Sequence, residues 1–181
     1  MSFDVAPALE EARASAPTGR VIIETLTLYH PSFVDEQGAA SPLFVVNANQ
    51  ALTATLEYDA PQKPGETVTF LPLKFRGNKP EMGAGKVPVF GFEMDNLGDI
   101  FADQINRSQL HEPRSPIYCT VREYLSDNLL APSYISPYKQ TLTDITVTPT
   151  KITARAQITD SANIHFLRSV YTLAQFPGLI R

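Results

Sequence analysis

The sequence predicts a mainly β fold with one flanking α-helix, at the margin of the α+β class. Three observations carry this. Most of the chain between Arg20 and Ile158 alternates apolar with polar or β-branched residues, the period-2 signature of strands. One interior stretch, Met94 to Gln109 ("MDNLGDIFADQINRSQ"), instead lines Leu97, Ile100, Phe101 and Ile105 along one helical face. Residues 145–158 read as a hairpin, with Ile152, Ala154, Ala156 and Ile158 alternating against Thr153, Arg155 and Gln157.

The elements follow in order. Residues 1–19 form an N-terminal arm with a short helix, Phe3, Leu9 and Ala12 on one side, that orders on a neighbour. Arg20 to His30 is a long β-branched strand with Ile22, Leu26 and Leu28 on one face; Val21 and Ile23 make its second face apolar enough to be covered too. A strand from Leu43 follows, then Leu52, Ala54, Leu56 and Tyr58 alternate as a half-buried strand. "DAPQKPGE" is a turn, and Glu66 to Lys74 is the next strand. Residues 76–86, "RGNKPEMGAGK", read as a long loop. Their glycines lead into a strand and no Ser or Thr follows Lys86, which excludes a phosphate-cradling loop. Val87 to Met94 is a strand with Phe90, Phe92 and Met94 on one face, running into the helix, which Asp95 or Asn96 caps. "IYCTVREYL" puts Ile117, Cys119, Val121 and Leu125 on one face and Tyr118, Thr120, Arg122 and Tyr124 on the other. Residues 126–138 form a second long loop. Leu142 is out of phase with Ile145, which places a bulge near Asp144. Residues 166–181 are an apolar tail.

A chain of 181 residues fits one domain, 1–181, with a core that needs no staples. A net charge of −4 argues against a nucleic-acid binder. The single cysteine, Cys119, excludes an intrachain disulfide and favours a reducing compartment. The N-terminus has no charged-then-apolar leader pattern and no apolar run approaches a membrane span, so the expectation is a soluble chain without a membrane segment.

No reaction centre emerges. His30, His111 and His165 lie far apart in sequence, without metal-ligand spacing, and His30 reads as an ordinary solvent-facing residue. Cys119 sits mid-strand on the apolar face, where a free cysteine behaves as a small hydrophobe. Asp95 and Asp99 are helix-cap residues, and Asp59 and Glu66 turn residues. The expectation is therefore a non-enzyme with no metal and no cofactor. The candidate interface is the surface-like stripe Tyr118, Arg122 and Tyr124, together with Phe166, Tyr171, Phe176 and Leu179 of the tail.

Several blocks, in order and spacing, carry a resemblance: "ETLTLYHPSF" (Glu24 to Phe33), "VVN" (Val45 to Asn47), "LTATLE" (Leu52 to Glu57) and "TVTFLPLKF" (Thr67 to Phe75). "MDNLG" (Met94 to Gly98), "TVREYLSD" (Thr120 to Asp127) and "YTLAQFPGL" (Tyr171 to Leu179) continue it, the "FPGL" ending being the most specific piece. The chain resembles an uncharacterised family of tailed-phage and prophage proteins encoded among siphophage tail-tip genes. Residues 76–86 and "YISPY" (Tyr134 to Tyr138) depart from it. The resemblance implies a tail-tube type fold, a β-sandwich or rolled barrel with one flanking helix. It implies a minor tail protein of the virion, made in the host cytoplasm and similar in role to distal tail proteins. It further implies a homo-oligomeric ring, a hexamer, that contacts the tail tube protein and the hub or baseplate and lets DNA pass; the net charge of −4 adds the expectation of an acidic lumen. The family has no catalytic motif to transfer. A carbohydrate- or receptor-binding β-sandwich using Tyr118, Arg122 and Tyr124 as a platform is the main alternative reading; a cell-wall hydrolase working through Cys119 is the second.

Overall fold

The computed structural model describes residues 7–15, 19–35, 38–78, 89–95, 100–136, 140–148 and 150–158. Its elements are α1 (Pro7–Ser15), β1 (Ile22–Tyr29), β2 (Leu43–Val46), β3 (Leu52–Thr55), β4 (Thr67–Pro72), β5 (Phe75–Asn78) and β6 (Val89–Asp95). They continue with α2 (Ile100–Leu110), β7 (Tyr118–Leu125), β8 (Tyr134–Ile135), β9 (Gln140–Val147) and β10 (Lys151–Ile158). The ten strands form one sheet in the order β3-β4-β2-β1-β7-β9-β10-β6-β5, with β8 attached to β7 off this path. The predicted class, mainly β with a flanking helix, is the one observed.

β1 and β7 are the spine, antiparallel along their full lengths from Ile22↔Leu125 to Tyr29↔Tyr118. Their alternation gives the sheet two apolar faces, as the residues on both sides of β1 require. On the inner face, Leu26, Leu28, Val45 and Cys119 share one core with Phe75, Phe92 and Met94 of β5 and β6 and with Ile152, Ala154 and Ala156 of β10. Side chains from β2 and from β5, near opposite ends of the path, can meet only if the sheet rolls around this core. The Phe75 N–H donates to Asn47 Oδ1 (3.3 Å) and ties the start of β5 to the residue after β2.

α2 lays Phe101 and Ile105 into the same core. Its Gln104 amide bonds Val34 at both ends, accepting from the backbone N–H (3.2 Å) and donating to the carbonyl (2.8 Å). The predicted helix start is corrected. Met94 and Asp95 end β6, because the Phe90, Phe92, Met94 alternation continues and Met94 pairs with Ile152 and Phe75. Leu97, Asn96 and Asp99 lie outside the described residues.

Two strands occupy stretches predicted as loops. β5 takes Arg76 to Asn78, where Gly77 leaves room for the Phe90 ring; a Cβ there would meet Phe90 Cζ at 2.4 Å. β8 takes Tyr134 and Ile135 and pairs Glu123 and Arg122 of β7. The expected bulge in β9 is present: the register shifts opposite Thr153 and Arg155, with Asp144 at φ 52°.

On the outer face the β3–β4 hairpin folds over the spine. Phe44, Val46, Ala54, Leu56, Val68, Phe70 and Tyr124 form this second core. α1 docks on the chain's own strands. Leu9 and Ala12 pack on Leu125 and Ile22, and Arg13 pairs with Glu123 at 2.6 Å.

Phe101 tests the roll. It is 4% exposed, so Phe101→Asp is expected to cost about 3 kcal/mol or more, from a lost buried aromatic and an unpaired carboxylate. The check is the urea midpoint; a wild-type midpoint would remove α2 from the core.

Candidate functional site

The predicted stripe does not stay together at the surface. Tyr118 is exposed, but Arg122 and Tyr124 are 1% and 0% exposed. They are roofed by the β3–β4 layer, which the alternation of β7 alone could not reveal. Arg122 makes a two-point contact with Glu57, through Nε to Oε2 (2.7 Å) and Nη2 to Oε1 (2.6 Å). Its Nη1 donates to Thr27 Oγ1 at 2.7 Å. The Tyr124 hydroxyl donates to the Thr55 carbonyl (3.0 Å), and its ring meets Phe70 edge-on at 6.1 Å. Burial first of all pushes the phenol up to about 12; the Arg122 charge opposes this and Glu57 adds to it. A platform needs exposed faces, so Arg122 and Tyr124 are corrected from surface to interior. Phe166, Tyr171, Phe176 and Leu179 lie outside the described residues, as does His165.

His30 is also corrected: it is 1% exposed, and His111 lies against it with ring centroids 5.3 Å apart. The chain folds back after α2 and brings the two rings together across a long sequence gap. Ser32 Oγ lies 2.7 Å from Nδ1, and Ser115 Oγ lies 2.8 Å from Nε2. This resembles a serine–histidine relay, and the backbone fixes its tautomer. The Ser32 N–H donates to Nδ1 (3.1 Å), so Nδ1 accepts and Nε2 carries the proton. Nε2–H then faces the Ser115 carbonyl at 3.2 Å. The bare nitrogen is therefore Nδ1, which faces Ser32 Oγ at 2.7 Å on a ring only 1% exposed. Burial lowers the His30 pKa from its ordinary value, the Ser115 backbone bond opposes that, and the His111 charge adds to the lowering.

Cys119 is fully buried, and burial raises its thiol to about 12, against a smaller opposing effect of Arg122. That thiol is not a nucleophile near neutral pH. Among the described residues no three His, Cys, Asp or Glu side chains cluster to hold a metal ion. No helix among them is long and apolar enough to cross a membrane.

The remaining unusual geometry lies at the strand edges. β9 pairs with β7 only at Thr141 and Gln140, after which β8 takes the place beside β7. From Thr143 to Val147, β9 therefore has β10 on one side and no described strand on the other. At the far end β5 pairs with β6 alone. Among the described residues, the unit β9-β10-β6-β5 thus ends in two edges without a partner strand. Its outward face is polar and holds a groove of about 620 Å³ lined by Arg76, Glu93, Asp144, Thr146, Thr153 and Arg155, among others. The Lys151–Glu93 and Arg155–Asp144 pairs, at 3.2 and 3.6 Å, offset two of the face's three described cations, Arg76 being the third.

Comparison with known proteins gives one family. Residues 8–171 match the model of the family described as Domain of unknown function (DUF1833). No curated protein matches the chain.

Two outcomes test the interior polar groups. Glu57→Ala strands the Arg122 guanidinium, whose side chain is 2% exposed, and is expected to cost about 3–5 kcal/mol. The Arg122→Met, Glu57→Leu double variant recovers most of this, read by denaturant unfolding. For His30, the folded value lies below the ordinary 6.5, so the unfolded chain binds the proton more readily. Stability is then complete above about pH 6.5 and declines on acidification until the folded value is passed. His30→Gln is expected to flatten that part of the melting-temperature profile.

Proposed function

We propose, on the premise that this chain belongs to the DUF1833 family, that it is a structural subunit of a phage tail tip. Copies form a ring that joins the tail tube to the hub or baseplate and leaves a channel for DNA. The ordered blocks from Glu24 to Leu179 support the tail assignment by resemblance. The observation that carries the ring is the pair of open edges on β9-β10-β6-β5. Each of the three pairings in that unit is antiparallel, so β5 and β9 run in opposite directions. The β9 edge of one copy can then continue antiparallel onto β5 of the next. Such a contact is head-to-tail and closes into a ring at a suitable rotation. It also protects edges that a monomer would have to blunt by other means.

The polar face of the unit suits a channel wall, though not by acidity. Lys151 and Arg155 are already paired with carboxylates, leaving less free positive charge to capture phosphates. Threonine hydroxyls occupy the space between these pairs. DNA then slides past a face whose cations are mostly paired rather than past a repelling one. The hydrolase reading has no support in the buried Cys119 thiol. The carbohydrate platform loses two of its three residues to the interior.

Val147 is 41% exposed on the open edge. Wild-type protein is expected to form closed rings, seen by native mass spectrometry and negative-stain images, and Val147→Lys to be a folded monomer with an unchanged melting temperature. Wild-type protein that stays monomeric at high concentration, with no density for it in tail particles, sinks the reading.

A further inference from the structure

The outer face of the spine carries a small cavity at the other end of β7. Register stacks Tyr29 opposite Tyr118 and Thr27 opposite Thr120, with Arg122 one row further in. Pro61 and Gln62, from the connection between β3 and β4, close one side and leave a cavity of about 230 Å³. Arg122 sets its chemistry. A guanidinium has five N–H donors, of which three are used, two on Glu57 and one on Thr27. One N–H on each of Nη1 and Nη2 remains, on a residue 1% exposed that lines the cavity. Buried donors of this kind call for an acceptor. Glu57 cancels the charge, so the acceptor is a neutral oxygen; a carboxylate or phosphate would meet the Glu57 carboxylate beside the same guanidinium.

We propose that this cavity binds a neutral, polyhydroxylated ligand the size of one sugar ring. Ring hydroxyls accept from the two free Arg122 N–H groups and exchange a hydrogen bond with the Thr120 hydroxyl. The apolar C–H face of the ring lies on Tyr118, which is 36% exposed at the mouth. The volume is below the roughly 300–1,000 Å³ of sites for drug-sized ligands, which limits the occupant to a single ring. This site is separate from the open edges and does not depend on ring assembly.

The test is saturation-transfer NMR on the full chain with a panel of neutral hexoses and N-acetylhexosamines, and with glucuronate and acetate as anionic probes. Saturation of at least one neutral sugar is expected. Its affinity should fall about tenfold, equivalent to 1.4 kcal/mol, in Tyr118→Ala and in Thr120→Val, both at wild-type melting temperature. Tyr58→Ala, at a position 95% exposed and outside the cavity lining, should bind as wild type does. Any of three results overturns the proposal: no transfer to any neutral sugar, undiminished binding by both cavity variants, or stronger binding of glucuronate or acetate than of the neutral sugars.

Discussion

The buried contact between Arg122 and Glu57 is the constraint on which the layering depends. It joins the middle of β7 to Glu57, two residues beyond β3, and through Thr27 it includes β1. An ion pair taken out of water repays its desolvation only with good geometry and satisfied hydrogen bonds. The two-point contact at 2.6 and 2.7 Å supplies the geometry. The β3–β4 hairpin supplies the dry environment, and the pair in turn fixes where the hairpin lies. With the outer layer so anchored, Tyr124 and Phe70 can pack edge-on beneath it. The inner face is then free to roll around α2.

Much of this was legible in the residues. Period-2 alternation located β1, β7, β9 and β10, and helical spacing located Phe101 and Ile105 on the buried side of α2. The phase break between Leu142 and Ile145 located the bulge. Three things were not legible, for separate reasons. β5 and β8 are short and lie among glycines and prolines, where pairing partners rather than propensity decide the strand. Arg122 looked like a solvent-facing strand residue because its counter-charge, Glu57, is remote in sequence. A weak signal was there: the outward row of β1 reads Ile23, Thr25, Thr27, with no charge, which suits a covered face. His30 looked exposed because it precedes a proline, and only the return of the chain after α2 brings Ser115 and His111 to it.

The polar groups of the interior are committed to holding the structure. Arg122 is paired with Glu57, Cys119 is buried, and the buried His30 ring is held between Ser32 and Ser115. Among the described residues, strand edges, a polar face and a small cavity lined by Arg122 are open to other molecules.

The spine itself has a consequence in time. Thr25 bonds the Arg122 carbonyl across a separation of 97 residues, so β1 leaves the ribosome long before its principal partner is made. Closing so long a loop before any contact rewards it makes folding slow in proteins built on non-local strand pairs. Until β7 arrives, the β-branched run from Ile22 to Tyr29 has only β2 to pair with and one edge uncovered. The nascent chain is thus most vulnerable to aggregation in its first half, and early shielding of that strand governs the yield of folded subunit.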